Sequence, residues 1–402
     1  MGLVPTPPRP ERVQRAIFAP LSFAPSAPRR PNLSPGACAL LEPRARSGYT
    51  ARAMTPRRAG FRMPAEWARH DATWVAWPSH EGLWQDHLAS AREAFVRLVE
   101  AIAEGETVEV LVPDEAQERL ARAALPREPA AQLRNLLRFH RVPFGDIWLR
   151  DTAPIFLQGP GGEPATVRFV FNGWGGKYVL EHDDRVAERI ARLVAGGQAF
   201  ARPFVLEGGA IDVDGEGTLL TTRQCLLNPN RNSSMSPADV ESAVADAVGC
   251  EKVVWLGDGL LNDHTDGHVD TVARFVAPGR VVAMEPRAAG DPNRDALHAL
   301  VRDLGAAVDA RGRRLDVVTV PSPGRVVDDA GRVMPASYVN FYVANAAVVV
   351  PTYGSPFDDE AVERIGALFP GRRALGVDAR AILSGGGAFH CITQQQPARE
   401  GP

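Results

Sequence analysis

Four short stretches of this chain carry more chemistry than a packed core needs. "DIWLRDTAPIF" sets Asp146, Arg150 and Asp151 in or beside an apolar strand, and "FVLEGGAIDVDG" puts Glu207 at the end of an apolar run before two glycines. "NDHTDGHVDTVARF" holds Asp263, His264, Asp266, His268 and Asp270 within eight residues, and "GGGAFHCITQQ" brings His390 and Cys391 behind three glycines near the C-terminus. Taken singly, an acid beside glycines caps a turn, an Asp next to an Arg is a weak surface pair, and a lone cysteine is a small core residue. Taken together they supply the parts of nucleophilic catalysis. A thiol of ordinary pKa about 8.5 must be activated by its surroundings to attack at neutral pH. A histidine protonates the leaving group and then activates water, while a carboxylate fixes its orientation. Glycines ahead of the sulfur let a substrate approach the backbone closely.

The surplus of acids narrows the substrate. A Cys–His protease needs at most one orienting acid or amide, whereas several carboxylates beside a thiolate suit a cationic substrate. Two carboxylates grip a guanidinium by paired hydrogen bonds, and the cation offsets their mutual repulsion and favours the thiolate. Zinc is the competing reading, since His264 and His268 stand four apart and Asp266, Asp270 or a cysteine could complete a site. That spacing serves a helix, however, and "TDGHVDTVARFV" reads as a turn leading into a strand. There His268 and Asp270 share one face while Val269 points away. No metal and no cofactor are therefore expected. On an extended segment His390 faces away from the Cys391 side, and Arg150 faces away from Asp151.

The elements that must position these residues are short strands and helices. Strands are expected over Val108–Val112, Ile147–Leu157, Thr166–Phe171, Phe204–Val213, Thr218–Thr221, Lys252–Leu256, Val269–Val276 and Arg280–Met284. Four more are expected over Asp316–Val320, Tyr338–Val343, Ala346–Pro351 and Ala374–Val377. Hairpin signals stand at "DGEG", "APGR" and "ANA". Helical periods fall near His87–Glu104, Glu115–Ala124, Asp184–Val194, Pro237–Ala247, Asn293–Leu304 and Asp358–Leu368. Paired strands alternating with helices fit repeated β/α modules around an axis better than a doubly wound parallel sheet. No glycine-rich phosphate loop opens a helix, so a nucleotide site has no support.

Composition bounds the function. The 402 residues are 45% hydrophobic and 23% charged, with a formal net charge of −3. That balance is ordinary for a globular protein and lacks the basic excess of a nucleic-acid binder. No apolar run is long enough to span a membrane. The four cysteines (Cys38, Cys225, Cys250 and Cys391) are scattered without a CxxC pair, which fits a reducing cytoplasm. Residues 1–60 are dense in Pro and Arg. They read as a disordered or non-native extension ahead of one catalytic domain over residues 61–398.

Seven stretches in order, "MPAEWARHDATWVAWP", "WLRDTAP", "FNGWGGKY", "EGGAIDVDG", "NDHTDGHVDTVARF", "ASYVNFYVAN" and "GGGAFHCITQQQP", resemble the agmatine deiminase family across Met63 to Pro397. The resemblance implies the pentein fold, a five-bladed α/β propeller of ββαβ modules. It also implies hydrolysis of agmatine to N-carbamoylputrescine and ammonia without metal or cofactor. By the same resemblance Cys391 matches the nucleophile and His268 the general acid/base. Asp151 and Asp270 match the guanidinium-binding carboxylates, Glu207 the acid that pairs with the histidine and substrate, and Trp148 an aromatic lining the pocket. Ala153 stands where the family usually has Gly, Ala388-Phe389 replace a more frequent Asn-Ile-like pair, and His264 stands where an acid is common. His264 is accordingly the candidate contact for the substrate's far end. The expected partner is a small cationic guanidine, with no nucleic acid and no membrane, and homo-oligomerisation is left open. A deiminase or amidinotransferase acting on free or peptidyl arginine uses the same logic, and a guanidinium- or metal-binding module is the non-enzymatic alternative.

Overall fold

Short strands that are apolar on both faces bury those faces only by pairing and by accepting a helix on top. The computed structural model of the chain describes residues 54–125, 136–194 and 196–399. Strand β1 (His70–Ala76) is followed by the helix Leu88–Ala103, which returns the chain to β2 (Thr107–Val112), parallel to β1. The helix Glu115–Ala124 then precedes β3 (Leu137–Arg141), parallel to β2. Next, β4 (Ile155–Gln158) and β5 (Pro164–Val170) form an antiparallel pair, the helix Asp183–Leu193 crosses back, and β6 (Gln198–Val205) adds parallel to β5.

The same strand–strand–helix–strand order recurs in β7 (Asp212–Val213), β8 (Thr218–Thr222), the helix Pro237–Val248 and β9 (Lys252–Leu256). It recurs again in β10 (Ala273–Ala277), β11 (Arg280–Glu285), the helix Arg294–Ala306 and β12 (Asp316–Pro321). A further copy is built from β13 (Tyr342–Val343), β14 (Ala347–Thr352), the helix Asp358–Ala367 and β15 (Arg373–Asp378). Finally β16 (Thr393–Pro397) pairs antiparallel with β1, so the last strand completes the first sheet. The architecture is mixed α/β, with five small sheets among the described residues.

Local sequence explains the helices. Ser236 and Asp239 cap the helix Pro237–Val248 reciprocally, proline occupies its first position, and Gly249 ends it at φ 74°. In Leu88–Ala103 the residues Ala91, Phe95, Leu98, Val99 and Ile102 recur at helical spacing and are buried. Each large one contributes roughly 1.5–3 kcal/mol by leaving water.

Three strands expected to be continuous are broken. Leu149–Thr152 is a helical turn ahead of β4, Gly208–Ala210 a 3-10 turn ahead of β7, and Val269–Thr271 a 3-10 turn ahead of β10. Likewise Tyr338–Val343 shrinks to β13, and residues 389–392 form turns before β16. The apolar composition of these stretches mimics a strand because they are buried, yet their backbone turns to point polar side chains inward. The expectation for residues 1–60 falls mostly outside the described residues. Of the remainder, Arg57–Ala59 form a 3-10 turn ended by Gly60, and Thr55 is buried. No helix among the described residues is long and apolar enough to cross a membrane.

Candidate active site

Each of the five sheets has a buried residue just ahead of one strand of its antiparallel pair: Asp151 before β4, Glu207 before β7, Asp270 before β10, Asn340 before β13 and, in the first sheet, Cys391 before its chain-terminal strand β16. Hydrogen bonds tie these segments together. The Arg150 amide donates to the Cys391 carbonyl at 3.1 Å, and the Gly209 amide donates to Asp151 Oδ1 at 2.9 Å. Asn340 Nδ2 donates to the Asp270 carbonyl at 3.3 Å, and the Cys391 amide donates to Asn340 Oδ1 at 3.3 Å.

Around the sulfur, Asn340 Nδ2 donates to Cys391 Sγ at 3.1 Å, and Sγ lies 3.6 Å from Asp270 Oδ2. Burial, and after it the Asp270 and Asp151 carboxylates, push the Cys391 thiol well above its usual range. In this state the residue is a thiol at neutral pH. His268 is fully buried, with its Nδ1 3.8 Å from Asp151 Oδ2 and neither ring nitrogen hydrogen-bonded. Burial alone would lower its pKa, but Asp151, Cys225 and Glu207 outweigh that and raise it well above the usual value. His268 is therefore an imidazolium.

Glu207 does not hydrogen-bond His268. Its Oε1 accepts from Arg231 Nε at 2.7 Å, its Oε2 has no partner, and burial raises its pKa against the pull of Arg231 and His268. Asp151 accepts at both oxygens, from the Gly209 amide and from Trp174 Nε1 at 2.8 Å. Asp270 directs Oδ2 to His390 and Cys391 and leaves Oδ1 without a partner.

One wall is aromatic. Trp148 and Trp84 stack with centroids 6.0 Å apart, and both indole nitrogens donate to Asp146, at 2.8 and 2.9 Å. The glycines fit against this wall and the sulfur. A methyl group at Gly387 would lie 3.0 Å from Cys391 Sγ and 2.8 Å from the Trp148 ring, and one at Gly209 would lie 2.5 Å from His268 Nδ1. Neither position has room for a side chain.

His264 stands apart from the other sequence candidates. Its carbonyl accepts from Lys177 Nζ at 2.6 Å, Tyr178 Oη is 3.2 Å from its Nδ1, and a methyl group at Gly386 would come within 3.0 Å of that nitrogen. Burial, with Lys177 adding to it against Asp263, lowers the pKa of His264, which makes it neutral at pH 7. It does not join His268 in a ligand set. The one three-ligand set among the described residues is Glu207, Cys225 and His268, whose donor atoms lie within 4.8 Å of one another. Arg231 already places a guanidinium on Glu207, so a second cation there would meet like charge.

One sequence expectation is corrected, together with the extended backbone assumed for a second. His390 does not face away from the nucleophile's surroundings, because residues 389–392 turn instead of extending, and its ring bonds Asp270 at 2.6 Å and Glu66 at 2.8 Å. Arg150 is buried in a helical turn and bonds Glu66 and Gln395. Sequence reasoning also passed over Asn340, Trp174, Trp84, Arg231 and Cys225. The signal for Trp174 was "NGWGGK": residues 173–176 all have positive φ, Trp174 included at 52°, a backbone that glycines make accessible and that aims the indole at Asp151.

The chain matches the family described as Porphyromonas-type peptidyl-arginine deiminase over residues 62–397. It is 40% identical over 368 residues to the agmatine deiminase of Stutzerimonas stutzeri (strain A1501), covering 86% of this chain and 97% of that relative. It is 39% identical over 369 residues to the agmatine deiminase of Ectopseudomonas mendocina (strain ymp), covering 86% of this chain and 98% of that relative. Among solved structures, the agmatine deiminase of Enterococcus faecalis superposes with a TM-score of 0.80 at 34% identity, covering 87% of this chain and 99% of that one.

Proposed function

The chain belongs to the Porphyromonas-type peptidyl-arginine deiminase family, and from that premise we propose that it hydrolyses agmatine to N-carbamoylputrescine and ammonia. The observation that carries the reading is a buried thiol beside Asp270, whose Oδ1 is uncommitted, with a second uncommitted oxygen, Glu207 Oε2, near His268, and with the Trp148 ring close to Gly387 and the sulfur. Unpartnered buried carboxylate oxygens are costly, and a flat guanidinium satisfies them. Asp151 and Asp270 hold the guanidinium, whose positive charge offsets the two acids that keep Cys391 protonated, so the thiol releases its proton to solvent on binding. The thiolate attacks the central carbon, and His268 protonates the departing nitrogen. Ammonia leaves behind a covalent thiouronium. The neutral His268 then takes a proton from water, the hydroxide adds to the same carbon, and as the C–S bond breaks the new hydroxyl passes its proton to the departing sulfur, which restores the thiol and releases the ureido product.

Preference for agmatine over arginine follows from charge. Arg150, Arg231, Arg274 and Lys177 are each committed to carboxylates, and His264 is held neutral, so the carboxylate of arginine finds no cation among them. The same reading takes the five ββαβ units as blades of one propeller within a single catalytic domain over residues 61–398, supported by the equivalent origin of the five site residues. It gives the enzyme a small guanidine substrate in the cytoplasm, with no nucleic-acid or membrane partner. Ammonia release from agmatine, arginine and peptidyl arginine, measured with a chelator present, tests it. Agmatine is expected to win by more than about tenfold, or 1.4 kcal/mol in transition-state binding. A higher kcat/KM for arginine sinks the assignment, and loss of activity to the chelator sinks the metal-free mechanism.

A further inference from the structure

Behind Asp270 lies a buried charge cluster that the proposed reaction does not use. Glu66 Oε2 accepts from Arg150 Nη2 at 3.2 Å, lies 2.9 Å from Arg274 Nη2 and is 2.8 Å from His390 Nε2, while its Oε1 accepts from the Val343 amide at 3.0 Å. Arg274 continues to Asp212 at 2.9 Å. On its other side, His390 Nδ1 meets Asp270 Oδ2 at 2.6 Å. Both ring nitrogens of His390 thus face oxygens of carboxylates, which only accept when ionised. Burial would raise both carboxyls, yet Glu66 is held well below its usual range with the Arg274 and Arg150 guanidinia against it, and Asp270 is held low with His268 and Arg274 nearby as well as His390. Each nitrogen must then carry a proton. The formal charges of the cluster also balance only in that state: Glu66, Asp212 and Asp270 against Arg150, Arg274 and His390.

We infer that His390 is a two-sided clamp, a positioning residue that ties Asp270 Oδ2 to Glu66 and leaves Asp270 Oδ1 as the fixed acceptor for the substrate guanidinium. The observation linking clamp to site is that Oδ1 is buried without a partner, while Oδ2 is bonded to the ring and sits beside the sulfur. A neutral ring would turn a lone pair toward one of the two carboxylates, and Asp270 would lose its orientation. The inference rests on the guanidine-hydrolase reading only for the identity of the bound cation.

Two measurements test it. In substrate-free wild-type enzyme labelled with nitrogen-15 histidine, His390 is identified as the ring resonance displaced in Asp270→Asn. It is expected to show a hydrogen on each ring nitrogen at pH 7, one shared with each carboxylate. A neutral tautomer at pH 7 overturns the clamp. In steady-state kinetics with agmatine, His390→Gln is expected to lower kcat/KM about 10- to 150-fold, the scale of a hydrogen bond to a charged group. The larger share should fall on KM, because Asp270 holds the guanidinium in ground and transition states alike. An unchanged KM, or a loss confined to kcat, overturns the positioning role. Should the variant not fold, the resonance in the wild type decides alone. Absence of ammonia release from agmatine by the wild type would remove the substrate assignment and leave the spectroscopic result standing.

Discussion

The two sides of the Cys391 sulfur are built in opposite ways. On the side of Glu66, His390, Arg150, Arg274 and Asp212, the buried polar atoms are paired, with Glu66, Asp212 and Asp270 meeting Arg150, Arg274 and His390. On the side of His268, Glu207 and Asp151, both ring nitrogens of His268 and one oxygen of Glu207 have no partner, although all are buried. Satisfied buried networks rigidify, whereas an unpaired buried polar group costs stability unless something completes it. The paired side is a scaffold that fixes Asp270 and the backbone of Cys391. The unpaired side carries the orphaned polar atoms that the proposed cationic substrate would complete.

The largest effect separates reactivity from scaffold. Cys391→Ala is expected to remove turnover while leaving the melting temperature within a few degrees, since the side chain loses only its sulfur from a site that Asn340 still holds by the backbone. A large fall in stability would mean that the thiol belongs to the scaffold. His268→Asn comes next: turnover should drop about 10²- to 10⁴-fold, the scale of a general acid–base group, while Cys391 remains open to alkylation. An equal loss of alkylation would indicate collapse of the pocket.

Arg231 probes the one strong pairing on the reactive side. Its guanidinium bonds Glu207, Asp266 and the Thr265 carbonyl, with a side chain fully buried. Arg231→Met leaves Glu207 buried without compensation and should cost about 3–5 kcal/mol in denaturant unfolding. Adding Glu207→Gln should restore part of that loss, and failure to do so would assign the cost to packing instead of charge.

The smallest expected effect lies outside both clusters. Asp183 Oδ1 accepts from the Gly145 amide at 2.7 Å and Oδ2 is unpaired, and burial raises its carboxyl from 3.8 to about 7. Between those values the folded protein keeps a proton that the unfolded chain has released. Stability therefore falls as pH rises through that window and stays lower above it. Asp183→Asn keeps the accepting oxygen and should raise stability at pH 8 by about 1–2 kcal/mol, with little change at pH 4. A gain of equal size at both values would show that ionisation is not the cause.

Much of the site was legible because its chemistry is concentrated in unusual residue runs. Five ionisable groups in "DHTDGHVD" and a thiol behind three glycines point to a nucleophile meeting a cation, and motif order added the family. The helices were legible as well, since a 3.6-residue apolar period and caps such as Ser236 with Asp239 are local properties. The strands β1, β3 and β16 were not marked, and β16 in particular is polar, "TQQQP", held by pairing with β1 from the other end of the chain.

What the amino-acid sequence determined by itself was therefore which residues could react, that the chain is mixed α/β, and which cation the acids would suit. What only the tertiary structure decided was which residues share a site and which of their buried polar atoms find partners. Asp151, Glu207, Asp270, Asn340 and Cys391 come from five separate sheets, and the turns that aim them read locally as strand because a buried turn and a buried strand have the same apolar composition. His390 is the plainest case. Its neighbour in sequence is Cys391, but its two partners lie 120 and 324 residues away, and contacts at that separation leave no periodic trace for a local reading to find.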